Sequence, residues 1–182
     1  MSESKLKFPT EMVELPSKGL LYPEDNPLSS GKVEIKYMTA REEDILTNTS
    51  YISNGTVLDK LLQSLIVSKD INYNDLIIGD KNALLISARI LGYGNDYDFM
   101  WMGEQVKADL SQMDNKKIDE SIFEKGKNEF SYIFPTSGTT ITFKYLNHAD
   151  EIAVNKEIKG LQKLNPDSNP LISTRLKQMI IS

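Results

Sequence analysis

The chain of 182 residues contains no cysteine and a single histidine, His148. Without cysteine it cannot form disulfides, thiolate zinc sites, iron–sulfur clusters or a thiol nucleophile. One histidine, with no serine nearby in a nucleophile motif, builds neither a catalytic triad nor the usual metal shell. Its place at a predicted helix start favours a capping or surface role. We therefore predict no catalytic residue, no metal site and no cofactor.

Long apolar runs and a basic excess are also missing. No stretch approaches the roughly 18 apolar residues that crossing a bilayer requires. Residues 1–10 are polar without the apolar region of a signal peptide, and we predict a flexible N-terminus there. The formal net charge is −5, whereas phosphate binding needs clustered lysine and arginine. These absences predict a cytoplasmic protein that binds neither membrane nor nucleic acid.

The N-terminal half is predicted to be mainly helical with short strands. Val33–Tyr37 alternates apolar and polar residues, which is typical of a half-buried strand. Thr39 and Glu42 match a capping box at a helix start, and this accounts for Glu42 without a ligand. A further helix is predicted from Asp80, as its N-cap, to Gly92 just beyond its end.

From Tyr97 the pattern changes to alternation and predicts a β-hairpin with a turn at Gly103–Glu104. The apolar side chains are Tyr97, Phe99 and Trp101 on one face and Met100 and Met102 on the other. A two-stranded hairpin cannot bury both faces alone. Because tryptophan is enriched in binding hot spots, we predict Trp101, Met100 and Met102 as partner-binding residues.

A second hairpin is predicted over 129–146, and it is expected to join the first in one antiparallel sheet. The fold class is therefore α+β, with a helical N-terminal half, two hairpins and C-terminal helices. The predicted organisation is a flexible segment 1–10, one domain 11–164 (11–94 mainly helical, 95–146 hairpins, 147–164 helix), and a linker with a helical arm at 165–182.

The C-terminal arm is predicted to be an amphipathic helix that opens at Pro170. Its apolar stripe is Ile172, Leu176, Met179 and Ile180, and we predict these as partner-binding residues as well. A helix this short is marginal by itself, since isolated helices under roughly 12–15 residues are unstable. The arm therefore docks either on its own domain or in a groove of a partner or a second copy.

Three carboxylates on the first hairpin, Asp96, Asp98 and Glu104, leave an enzymatic alternative open. Paired carboxylates perform acid–base and glycosidase chemistry. A small hydrolase is therefore the second hypothesis, although acids on exposed hairpins are usually solvated.

Several sequence blocks occur in a specific order. The opening run Val13–Pro23 reads VELPSKGLLYP, and GKVEIKYMTAREEDIL follows over 31–46. Further blocks are TVLDKLLQSLI at 56–66, the segment 76–94 ending in YG, and 132–150. Together they cover about residues 12–152. In this order the blocks resemble the baseplate hub assembly family of T-even-type contractile-tailed phages.

The resemblance implies a non-enzymatic role in morphogenesis. Proteins of this family help build the hub at the centre of the baseplate, onto which the tape measure and tail tube assemble. The implied partners are other baseplate hub proteins or the tape-measure protein, and the arm adds a second copy of this chain as a further possible partner. The implied location is the host cell cytoplasm during assembly. Whether the protein stays in the virion tail baseplate or leaves as a chaperone remains open, and no catalytic residue carries over.

Overall fold

The computed structural model describes residues 8–113, 117 and 119–182. Its helices are α1 (Ala40–Leu46), α2 (Thr49–Ser53), α3 (Val57–Leu65), α4 (Ile78–Tyr93), α5 (His148–Leu164) and α6 (Leu171–Met179). Its strands are β1 (Thr10–Glu14), β2 (Lys32–Lys36), β3 (Asp96–Trp101), β4 (Glu104–Asp109), β5 (Phe130–Ile133) and β6 (Thr140–Phe143). The predicted α+β class is confirmed. No described helix has the length and apolarity needed to cross a membrane.

The strands form three separate two-stranded antiparallel sheets, β1–β2, β3–β4 and β5–β6. The prediction that the two hairpins share one sheet is therefore wrong. One reason lies at the outer edge of β6, which is already occupied by the end of the arm. The Thr142 amide donates to the Ser182 carbonyl at 2.8 Å, and the Lys144 amide donates to the Met179 carbonyl at 2.9 Å. An edge that is paired in this way cannot accept a strand of the first hairpin.

One hydrophobic core lies among β1–β2, α3, α4 and the loop before β2. Its most deeply buried apolar side chains are Leu15, Leu28, Val33, Ile35, Leu62, Leu65, Leu76 and Leu84. Val33 and Ile35 are buried as the alternating pattern predicted, and α3 contributes one apolar stripe. Burial of such a side chain stabilises the fold by about 1.5–3 kcal/mol relative to exposure. These buried side chains hold β1–β2, α3 and α4 together, and the remaining elements extend from this core.

The start of α4 differs from its predicted form. The helix begins at Ile78, and Asp80 lies in its first turn rather than at the N-cap. The side chain of Asp80 is 1% exposed and points to the loop after β1. It accepts from the Ser17 amide at 2.9 Å, the Ser17 hydroxyl at 2.6 Å and the Tyr22 hydroxyl at 2.6 Å. The carboxylate thus joins a loop to the helix, a contact that no local pattern contains.

The end of α4 also lies beyond the predicted position. The helix passes Gly92 and includes Tyr93, and Gly94 with φ 82° is the residue that ends it. At Gly92 an added Cβ would lie 1.7 Å from the terminal carbon of Met38. The Met38 side chain packs directly against the Gly92 backbone, and Gly94 ends the helix with a positive φ that glycine adopts without strain.

The predicted capping box at α1 is present, and it is more than a helix cap. Glu42 is 0% exposed and accepts from the Lys36 ammonium at 2.7 Å and the Ser64 hydroxyl at 2.6 Å. The Thr39 hydroxyl donates to the same carboxylate at 2.6 Å. Burial raises the pKa of Glu42, but these hydrogen bonds outweigh burial and lower the pKa to about 2. One carboxylate therefore joins β2, α1 and α3.

Candidate functional site

The first hairpin projects from the end of α4, where Arg89 holds its base. The Arg89 guanidinium donates to the carbonyls of Gly94 and Asp96, at 3.1 Å each. It also lies over the rings of Tyr93 and Tyr97, at 5.0 and 5.7 Å from their centroids. A planar cation between two aromatic rings fixes the direction of the hairpin as well as its attachment.

The predicted partner-binding residues of this hairpin form its tip. Met100 is 66%, Trp101 61% and Met102 90% exposed, so no described part of the chain covers them. Met100 and Trp101 are neighbours on β3 and therefore point to opposite faces. The tip, defined here as Met100, Trp101 and Met102, presents large apolar side chains in several directions at once.

The turn lies one residue earlier than predicted. Trp101 pairs directly with Glu104, so Met102 and Gly103 are the two central residues. Both have positive φ, 50° and 87°, as in the type I′ turn that matches the twist of a hairpin. Asparagine or glycine normally occupies the first position, and a methionine there is strained by about 1–2 kcal/mol. Met102 thus costs stability and buries nothing.

The three carboxylates of the hydrolase hypothesis do not form one acidic site. Asp96 and Asp98 lie on one face of β3, whereas Glu104 pairs with Trp101 and lies on the other face. The Asp96 carboxylate forms an exposed ion pair with Lys107 at 2.7 Å. Such a pair on an open hairpin excludes no water, so the arrangement lacks the enclosed acid and base that glycosidases require.

The arm docks on its own domain, but through its polar face. Thr174 is 4% exposed, and the Gln178 amide donates to Asp150 at 3.0 Å. Ion pairs join Arg175 to Glu151 at 2.6 Å and Lys177 to Glu157 at 2.8 Å. Helix α6 therefore contacts α5 by residues that the apolar stripe did not include.

The predicted apolar stripe of the arm remains largely uncovered. Ile172 is 74%, Leu176 49% and Ile180 43% exposed, whereas Met179 is half-buried. Ile180 lies beyond the end of α6 and pairs with Phe143 of β6, so its assignment to the helix was wrong. The arm and the hairpin tip are held by different elements and form two separate surfaces.

A buried polar cluster went unrecognised in the sequence. Lys81 is 9% exposed, and its ammonium lies 2.8 Å from an Asp59 carboxylate oxygen and 3.2 Å from Nδ1 of His148. The Tyr73 hydroxyl donates to the same Asp59 oxygen at 2.8 Å. Glu151 completes the cluster, with a carboxylate oxygen 3.8 Å from the ammonium. Asp59, Lys81, His148 and Glu151 line a cleft of about 860 Å³ between α3 and α5.

The capping or surface role predicted for His148 is wrong. Asn147 is the N-cap of α5, and His148 is only 5% exposed. Burial lowers the pKa of His148, and the adjacent Lys81 ammonium lowers it further. The imidazole is therefore neutral near pH 7 and accepts from Lys81 at Nδ1, which places its proton on Nε2. Burial raises the pKa of Tyr73, and its bond to Asp59 raises it further. Each member is satisfied by another, so the cluster works as a structural tie between α3, α4 and α5.

Within the part of the chain that the structure describes, no group of three or more acidic or histidine side chains is arranged to hold a metal ion. No family model, curated protein or solved structure matches this chain. The features of this chain that bear on function are the chemistry of its own surfaces and its ordered sequence blocks. Of these surfaces, the hairpin tip has the largest apolar side chains with no role in the fold.

Proposed function

We propose that this protein is a non-enzymatic assembly component of a phage tail baseplate hub, and that it binds a hub or tape-measure protein through the tip of its first hairpin. The observation that carries the proposal is the exposure of Met100, Trp101 and Met102 at the end of a held hairpin. The assignment to a baseplate hub is supported by the resemblance of the sequence blocks to the hub assembly family. These blocks lie at 13–46, 56–66, 76–94 and 132–150.

The tip has the properties of a binding anchor. Tryptophan and its neighbours supply large contact areas when a partner buries them, and such residues dominate interface energies. Methionine adapts its shape to irregular partner surfaces. The strained backbone at Met102 is consistent with selection for binding, because it lowers the stability of the free chain. Arg89 limits the motion of the hairpin base, which reduces the entropy lost on binding.

The polar residues of the hairpin support a binding role in preference to the hydrolase alternative. Glu104 is adjacent to Trp101 across the strands and can add a charged contact at the rim. Asp96 is already neutralised by Lys107, and it lies on the opposite face from Glu104. No observation specific to these carboxylates favours catalysis, so the hydrolase is not proposed here.

Affinity purification from phage-infected cells tests the proposal. The wild-type chain is compared with Met100→Ser/Trp101→Ser, and proteins retained on each are identified by mass spectrometry. The control is Met113→Ser, which removes an apolar side chain of similar exposure, 60%, outside the hairpin. We expect hub or tape-measure proteins with the wild type and the control, and their loss with the double variant. Retention of no hub, tape-measure or baseplate protein by the wild type would refute the proposal.

The timing of the role is a separate question with its own measurement. Mass spectrometry of purified virions beside tail-assembly intermediates distinguishes a structural subunit from a chaperone. A subunit is present in both samples at a fixed ratio to the hub proteins. A chaperone is present in the intermediates and absent from the virions. Absence of the protein from both samples would contradict a role in hub assembly.

A further inference from the structure

A positively charged cleft lies on the side of α1 that faces α3. It encloses about 800 Å³ beside β2, α1 and the end of α3. The cations that line it are Lys36, Arg41, Lys60 and Lys69. Lys36 is paired with the buried Glu42. In the described ranges, the other three cations form no ion pair with any carboxylate, and Glu34 is the one acidic residue of the lining.

The cleft combines this charge with apolar walls. Ile45, Ile66 and Val67 contribute to the lining, and Val67 is 39% exposed. A local excess of cations contrasts with the net charge of −5 for the whole chain. Such a surface attracts an acidic segment and rewards one that also buries a large apolar side chain.

We propose that the occupant of this cleft is the hairpin tip of a second copy of the chain. The inference rests on the proposed function in so far as it takes the tip as the binding surface. Residues 96–109, which form β3, the turn and β4, contain four carboxylates and one lysine. At the tip, Trp101 lies directly opposite Glu104, so an indole ring and a carboxylate are displayed side by side.

The hairpin tip and the cleft are complementary in the chemistry of their side chains as well as in the sign of their charge. A guanidinium such as that of Arg41 can stack on an indole face and pair with a neighbouring carboxylate, a combination that a lysine provides less well. The apolar walls of the cleft suit Trp101 and Met102, which lie uncovered in the free chain. Charge complementarity then sets the orientation, and burial of the tip supplies the contact area.

The tip cannot reach the cleft of its own chain by a simple bend. The Tyr93 hydroxyl donates to Glu43 at 2.8 Å, so the end of α4 and the start of the hairpin are fixed to the Glu43 side of α1. Arg41 is two residues from Glu43, which corresponds to a rotation of about 200° around a helix. The start of the hairpin and the cleft therefore lie on opposite sides of α1. Association is head-to-tail, which produces rings or open chains.

Two variants test this arrangement, and each alters exposed side chains only. The cleft variant is Lys60→Glu/Lys69→Glu, and the tip variant is Trp101→Ser/Glu104→Gln, which removes the tip charge without creating a cation that the cleft variant could attract. Sedimentation velocity over a range of concentrations measures association at low and high salt. We expect the wild type to associate at low salt and less at high salt, because charges are screened. We expect each variant alone to associate at least about tenfold more weakly.

The decisive sample is the equimolar mixture of the two variants. In a head-to-tail contact, the intact tip of the cleft variant meets the intact cleft of the tip variant, and the remaining surfaces are inactive. The mixture should therefore form a 1:1 dimer that does not grow further. A wild type that stays monomeric at low salt, a cleft variant that associates like the wild type, or a mixture with no dimer would each overturn the inference.

The outcome is separable from that of the proposed function. If affinity purification retains hub proteins through the tip while the wild type stays monomeric, the proposed function stands and this inference fails. If the mixture forms the dimer while no hub protein is retained, self-association stands and the hub assignment fails.

Discussion

The Tyr22 hydroxyl donates to a carboxylate oxygen of Asp80 at 2.6 Å and accepts from the Ile77 amide at 3.0 Å. A loop residue and the first turn of α4 are thereby joined across 58 positions of sequence. Burial raises the pKa of Tyr22 well above its ordinary value, and the Asp80 charge raises it further. The phenol is consequently a neutral donor near pH 7.

Replacement of Tyr22 by phenylalanine should destabilise the fold by about 1–3 kcal/mol, since it leaves the buried Ile77 amide without its acceptor. Urea denaturation at pH 7 measures the change in free energy of unfolding. The matched control is Tyr145→Phe, because Tyr145 is 46% exposed. Equal stability of the two variants would contradict the structural role of the Tyr22 bridge.

Glu42 should make stability depend on acid pH. Its pKa is lowered in the folded protein from 4.5 to about 2, so its contribution is fully present above about pH 4.5 and is lost as pH falls toward 2. A shift of this size corresponds to about 3 kcal/mol, at 1.36 kcal/mol for each pKa unit.

The Glu42→Gln variant tests this dependence by denaturation at several pH values. We expect it to be less stable than the wild type by about 3 kcal/mol at pH 7, with the difference shrinking between pH 4.5 and 2.5. Glu24→Gln serves as control, since the Glu24 side chain is 81% exposed. A difference that stays constant across this range would show that the Glu42 charge is not what stabilises the junction.

His148 should titrate below the ordinary histidine range. Because burial and Lys81 lower its pKa, the folded state resists protonation, and stability falls as pH drops below about 6.5. The chain has one histidine, so the imidazole C–H signals in proton NMR report on His148 alone. In Lys81→Met the midpoint should rise, since the repelling cation is gone while Asp59 and Glu151 remain. An unchanged midpoint in that variant would be inconsistent with the cluster.

Met102→Asn should stabilise the hairpin and weaken partner binding. Asparagine tolerates positive φ, so the strain at this turn should fall by roughly 1 kcal/mol. Thermal melting followed by Trp101 fluorescence reports the hairpin, because Trp101 is the only tryptophan. Retention of hub proteins, or association with a second copy, should decrease in the same variant. A variant with unchanged hairpin stability would show that the Met102 backbone is not strained.

The C-terminal arm should depend for its attachment on its polar face and not on its apolar stripe. Leu176 is 49% exposed and Thr174 4% exposed. Leu176→Asp should therefore cost less than about 1 kcal/mol, whereas Thr174→Asp places a charge against α5 and should cost several times more. Thermal denaturation compares the two. A large loss from Leu176→Asp would mean that the apolar stripe, and not the polar face, holds the arm.

Periodicity predicted the elements well where their stability is local. The sequence predicted the strand that contains Val33 and Ile35, and it predicted the capping box of Thr39 and Glu42. Each of these features depends on neighbours a few positions away. The turn at Met102 was misplaced by one residue, since methionine gives no signal for positive φ. The positions of Asp80 and His148 were misassigned for another reason, because their partners lie more than 55 residues away.

The sequence by itself determined the α+β class with its hairpins, because spacing along the chain fixes which side chains share a face. The tertiary structure alone decided which faces are covered. It buried the polar Thr174 face of the arm and left Ile172 uncovered, and it gathered Lys81, Asp59 and His148 into one cluster. Burial and ion pairing depend on contacts between elements that are distant in the chain, and a local sequence pattern does not specify those contacts.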